Sequence, residues 1–163
     1  MLLKTLEAHT PLKYNHTMEV ISITEKIVSV MDVSEEERNT IMQVATYHNI
    51  GWLEFSKEFC AYEGQYTDDE FSLMRSYPER GAQKLKDNGY NKDIVKSVKL
   101  HANNYDSTLP IAARVVRYAR DFRKVLSLTE KFPTIHDALQ DMKNMSEKAY
   151  DPYVVEMAEQ AFN

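Results

Sequence analysis

Three of the five histidines, His16, His48 and His101, are the side chains whose type and placement best suit chemistry. An imidazole titrates near neutrality, moves protons and ligates divalent metals through a ring nitrogen. Three neutral imidazoles are enough to hold one zinc, iron or manganese ion with a coordination position left open. Histidines near helix ends also serve as packed or capping residues, and that reading stands beside the first. A second group is cationic. Arg117, Arg120 and Lys124 recur at three- and four-residue steps, so on a helix they share a face suited to a phosphate or carboxylate, or a solvated face paired with acids such as Asp121. A third group, Trp52, Phe55, Phe59 and Tyr62, has flat rings that either stack on a nucleobase or close a pocket by packing. The eight methionines read as adaptable core filler.

These side chains need helices to position them. Val20, Ile23, Ile27, Val30 and Met31 recur at helical spacing, which predicts a first helix from near His16 to Met31. Ser34 followed by Glu37 is a capping-box pattern, each side chain satisfying a free backbone N–H of the other residue. It opens a second helix through Ile41, Val44 and Ala45 that ends near His48, with Gly51 as its terminator. From there to Gly64 no clean period is present, which predicts a loop with one short helix. Thr67 and Glu70 repeat the capping box, and Pro78 interrupts or restarts the helix that follows, giving two short helices. Ile94, Val95, Val98 and Leu100 mark another helix, with His101 at its end. Pro110, at a first-turn position, opens a longer one through Val115, Val116, Ala119, Phe122 and Leu126. Two more start near Thr134 and at Asp151-Pro152.

Composition agrees with this pattern. With 163 residues, 43% of them apolar, and only four glycines and five prolines, the chain suits one all-α domain over residues 1–163, a bundle of about seven or eight helices. A single cysteine, Cys60, makes neither an internal disulfide nor a metal cage, which points to a reducing, cytoplasmic setting. The apolar run at the amino terminus is too short for a signal peptide, and nowhere do eighteen apolar residues run together, so no membrane insertion is expected. A net charge of −5 argues against nucleic acid as a partner.

Order and context add a family resemblance. Tyr47-His48-Asn49-Ile50-Gly51 resembles the signature of the HD superfamily of metal-dependent phosphohydrolases, in which a His-Asp pair at a helix end is followed by Ile-Gly. The stretch Tyr62 to Glu70, then Tyr77-Pro78-Glu79-Arg80-Gly81, looks like the HD-GYP subfamily, whose equivalent segment ends in His-Pro and a nearby Gly. His101 to Ser107 falls where that subfamily carries His-His-Glu, and Ala113 to Ala119 resembles the run before its last metal-binding Asp. Asp151-Pro152-Tyr153-Val154-Val155 is similar to its final helix. The resemblance runs from about His16 onward. It implies a helical HD-type fold and a two-metal centre acting on cyclic di-GMP or a related phosphodiester.

The departures from that pattern change the expected chemistry. Asn49 stands at the aspartate of the His-Asp pair, Tyr77 at the histidine before Pro78, and Ala102 and Asn103 at a histidine and a glutamate. Arg120 stands at the last aspartate, and Trp52 where a lysine is usual. The Gly-Tyr-Pro element is contracted to Thr108-Leu109-Pro110. Two dications about 3.5–4 Å apart need several anionic ligands, and the surviving vestige is His16, His48 and His101. The expectation is therefore a catalytically degenerate signalling domain with no resident cofactor, which binds a protein partner or a cyclic dinucleotide through an anion site at Arg117, Arg120, Lys124 and Trp52. The alternative is a phosphohydrolase with a single iron, manganese or zinc ion on the three histidines, Asn49 serving as a hydrogen-bonding neighbour. A structural or dimerisation module is the third reading.

Overall fold

Thr10 and Pro11 divide the start of the chain into two helices. The Thr10 side chain accepts from the Lys13 N–H, its own N–H donates to Leu6 O, and Pro11 occupies the first turn, where a missing N–H costs nothing. In the computed structural model, which describes residues 1–163, α1 (Leu2–His9) therefore precedes α2 (Pro11–Ser29). The first helix expected from near His16 in fact begins five residues earlier. The chain continues as α3 (Glu35–Tyr47), a 3-10 turn (Ile50–Glu54), α4 (Lys57–Ala61), α5 (Asp68–Arg75) and α6 (Tyr77–Asp87). It closes with α7 (Lys92–Leu100), α8 (Ile111–Ser127), α9 (Ile135–Lys143) and α10 (Pro152–Phe162). No strand is present, so the all-α expectation holds, with ten α-helices in place of seven or eight. No helix is long and apolar enough to cross a membrane.

Both capping boxes form, at Ser34/Glu37 and Thr67/Glu70, and a third closes between Thr134 and Asp137. Each is worth on the order of 1 kcal/mol to its helix. Pro110 sits one position earlier than expected: it is the N-cap of α8, and Ile111 is the first helical residue. Asp151 caps α10 through the Tyr153 N–H and is also ion-paired to Arg114, which ties the end of the chain to α8.

Packing divides into two apolar clusters. The larger joins α2, α3, α6, α7, α8, α9 and α10 around Val20, Ile27, Ile41, Val44, Leu85, Val98, Val115, Phe122 and Val154. Side chains of this kind each contribute roughly 1.5–3 kcal/mol when fully buried. The smaller cluster holds Leu6 of α1, Ile50 and Trp52 of the 3-10 turn, Phe55, Cys60 of α4 and Tyr77 of α6. Here the Cys60 thiol donates to the Trp52 carbonyl at 3.3 Å and is buried.

The two clusters are held in register by a backbone contact between glycines. A Cβ on Gly51 would lie 1.8 Å from the Tyr77 carbonyl oxygen, and one on Gly81 would lie 2.9 Å from the Gly51 nitrogen. Gly51 is thus not the terminator of α3, a role taken by His48, but the place where the 3-10 turn meets the first turn of α6. Close approach, not a left-handed conformation, requires glycine here. Gly51→Ala is expected to cost at least about 2–3 kcal/mol through displacement of α6, seen as a lower denaturant midpoint with an unchanged slope. A cost of a few tenths would show that α6 is free to slide.

Candidate functional site

Two helices end in the same way. His48 caps α3, and its Nδ1 lies 2.7 Å from Ala45 O; His101 caps α7, and its Nδ1 lies 2.6 Å from Val98 O. Both rings are completely buried. Burial pulls the His48 pKa down to about 4 despite its bond to Ala45, with Arg120 acting in the same direction. Burial, followed by the neighbouring His48, holds His101 well below its ordinary value. Both rings are therefore neutral near pH 7, and each donates its Nδ1–H to the carbonyl three residues before it. That leaves two Nε2 lone pairs as acceptors on rings 5.4 Å apart and set edge to face.

One of these lone pairs is filled by protein. Tyr77, held by the glycine contact, brings its hydroxyl 3.0 Å from His101 Nε2 and donates to it. The same oxygen accepts from Arg120 Nη1 at 3.1 Å. Arg120 also donates from Nε and Nη2 to Asp121 Oδ1 at 3.0 and 2.8 Å. Asp121 Oδ2 accepts from Arg117 Nε at 2.9 Å and from the Tyr150 hydroxyl at 2.8 Å. Burial opposes the charge on Arg120, but the Tyr77 oxygen and the Asp121 carboxylate more than offset it and raise the pKa. Burial likewise opposes the charge on Asp121, and Arg120 and Arg117 hold its pKa below the usual value. The other lone pair, His48 Nε2, is buried with no partner.

Of these groups, His48, Tyr77, Arg120 and Asp121 border a cavity of about 380 Å³. Its floor carries His48, Asn49 and Tyr77, and its walls carry His16, Trp52, Met74, Arg75 and Arg120 together with Lys13, Arg123 and Lys124. Asn49 is nearly buried, and its amide nitrogen donates to Thr17 Oγ1 at 3.0 Å. His16 is half-buried, and desolvation, then Arg123 and Lys13, lower its pKa to about 4. Trp52 stacks on Tyr77 at 5.4 Å, and Lys13 Nζ sits 3.9 Å above the indole. Arg123 reaches Glu19, whereas Lys13, Arg75 and Lys124 have no ion-pair partner.

The structure thus gathers His16, His48, Asn49, Trp52, Arg120 and Lys124 around one cavity. His101 lies behind Tyr77. Arg117 does not line the cavity, contrary to the expectation of a shared basic face: its guanidinium is spent on Asp121 and on the Ala102 carbonyl at 2.7 Å. Sequence reasoning missed Lys13, Arg75 and Arg123. Two of them carried a local signal, since Lys13 and His16, and Arg120 and Arg123, are three residues apart on a helix face.

The donor set does not fit the two-metal centre that the family resemblance implies. His101 Nε2 is occupied by Tyr77, and the only carboxylate at the cavity, Asp121, is taken up by two arginines and a tyrosine. No group of three or more His, Cys, Asp or Glu side chains is placed to hold an ion. A permanent cation, Arg120, borders the cavity instead.

With fold and site in view, comparison with known proteins gives the class. The HD domain family profile matches residues 1–154, so the chain belongs to the HD domain family. Among solved structures, the HD domain of the L. monocytogenes phosphodiesterase PgpH, crystallised in complex with cyclic-di-AMP, superposes with a TM-score of 0.76. The match is at 14% identity, over 99% of this chain and 94% of that one, and the likeness is one of fold. No curated protein matches the sequence.

Tyr77→Phe keeps the stacking on Trp52 but strips a partner from both His101 and Arg120. An unsatisfied buried acceptor costs on the order of 1–3 kcal/mol, and a loss in that range is expected on chemical denaturation. No change would mean that water replaces the hydroxyl.

Proposed function

We propose that this HD domain binds a phosphate-bearing ligand with protein cations in the place where the family pattern has metal, and that it serves as a signalling module and not as a working phosphodiesterase. The observation that carries this reading is the set of unpaired cations at the cavity, Lys13, Arg75 and Lys124, beside Arg120. Charge-assisted hydrogen bonds from such groups suit tetrahedral oxyanions. Cyclic dinucleotides are the class to test first. The fold neighbour was crystallised with cyclic-di-AMP, and the resemblance to HD-GYP sequences points to cyclic di-GMP, so both belong in the assay. Trp52 offers an aromatic edge to a base, and a protein partner would read the liganded state.

Titration calorimetry at low salt is expected to show binding of a cyclic dinucleotide without hydrolysis. Lys13→Ala and Lys124→Ala should each weaken it about tenfold, the loss of one charge-assisted bond, with little change in melting temperature. Unaltered affinity in both variants would end the anion-site reading.

The second reading, a phosphohydrolase with a single divalent ion near His16 and His48, is favoured by one feature, the unpartnered His48 Nε2. Against it stands the charge of Arg120, which repels a cation at the same cavity. Protein produced with iron and manganese available is expected to carry well under one metal equivalent and to melt at the same temperature after chelation. Two equivalents would overturn the metal-free reading, and cyclic dinucleotide hydrolysis would become the next assay.

A further inference from the structure

The cavity is cationic around its walls, yet one buried group at its floor seeks the opposite kind of contact. His48 has no exposed surface and lines the cavity, and its Nε2 has no partner in the protein. Because Nδ1 is committed to Ala45 O at 2.7 Å, the proton sits on that nitrogen and Nε2 presents a lone pair. Arg120 and Arg123 border the same cavity, and their charge opposes a cationic ring there. Asn49, beside it, has its amide nitrogen fixed on Thr17, which leaves its carbonyl oxygen as a further acceptor. The floor therefore asks a ligand for a donor. An ammonium donor is opposed by Arg120, Arg123, Lys13 and Lys124 at the same cavity. What remains is a neutral hydrogen-bond donor close to the anionic group that those cations hold.

We infer that His48 makes the pocket selective for an O–H group carried on the phosphate or on the carbon framework directly beside it. This rests on the phosphate-binding reading above and narrows it. Two sources supply such a group: the P–OH of a protonated phosphate, and the ribose 2′-hydroxyl adjacent to a 3′,5′-phosphodiester. Sulfate and 2′-deoxy phosphodiesters have the anion without the donor. A buried acceptor facing such a ligand stays unpaired, which is how polar sites reject near-isosteric analogues.

The test uses two ligand pairs on the intact chain, read by calorimetry. The first is inorganic phosphate against sulfate at about pH 5.5, where phosphate keeps a P–OH. Sulfate carries the larger charge there, so a basic pocket without a donor requirement would favour it. The second pair is cyclic di-AMP against its 2′-deoxy analogue. In at least one pair the O–H-bearing member is expected to bind about tenfold or more tightly, and the pair that discriminates identifies the source. In His48→Phe, which keeps a ring of similar shape, that preference should collapse toward unity while the poorer ligand binds as before. Equal, measurable affinity within both pairs would overturn the selectivity and leave the anion site standing. No binding of any of the four would instead remove the anion site on which it rests. The wild-type comparison decides the matter even if the variant fails to fold.

Discussion

A partly buried positive charge, the Arg120 guanidinium, is the constraint around which the site is organised. A desolvated cation is tolerated only when it is paired and its donors are filled. Asp121 meets that need on one side and the Tyr77 hydroxyl on the other. Each partner brings its own requirement. Asp121 keeps its charge with the help of Arg117 and Tyr150, while Tyr77 finds an acceptor in His101. The chain of dependence runs from α8 to the segment before α10, to the first turn of α6 and to the end of α7, and Tyr77, Arg120 and Asp121 within it border the cavity. Removing any one member leaves a buried group without its complement, so the network behaves as a unit.

Much of this arrangement could be read from the sequence, and the line between what could and could not follows locality. The capping boxes at Ser34 and Thr67 are contained within four residues, and both form as expected. The apolar period marked α2, α3, α7 and α8 because their buried faces repeat, and Asp151-Pro152 marked the start of α10. The short α1 escaped notice although Thr10-Pro11 is a start signal for α2, since eight residues give a period little room. Gly51 was misread for a different reason. A glycine after a helix looks like a terminator, and only the approach of α6 shows that a side chain there would strike the Tyr77 carbonyl.

The candidate site divides in the same manner. The histidines and Arg120 drew attention through type, order and family resemblance, and Asp121 was named as a competing partner for the cations. The structure shows that the pairing and the pocket coexist, because Arg120 serves Asp121 and Tyr77 while bordering the cavity. Arg117 lies off the cavity, where Asp121 and the Ala102 carbonyl from the end of another helix hold it. Lys13 and Arg75 reach the cavity from elements far from α8 in sequence, a meeting that no local pattern encodes. Membership of the HD domain family and the likeness to the PgpH HD domain account for the scaffold; the cavity in this chain is bordered by Lys13, Arg75, Arg120, Arg123 and Lys124.

Cys60 gives the smaller cluster a property of its own. The thiol is buried against the Trp52 carbonyl, and desolvation pushes its pKa up, which leaves little thiolate to react. It is also the chain's sole cysteine. Its alkylation rate is therefore a clock for the opening of one region, the layer of α1, the 3-10 turn and α4 that backs Trp52 and Tyr77. Followed over time, a maleimide or iodoacetamide reaction separates breathing of this layer from global unfolding without any engineered probe.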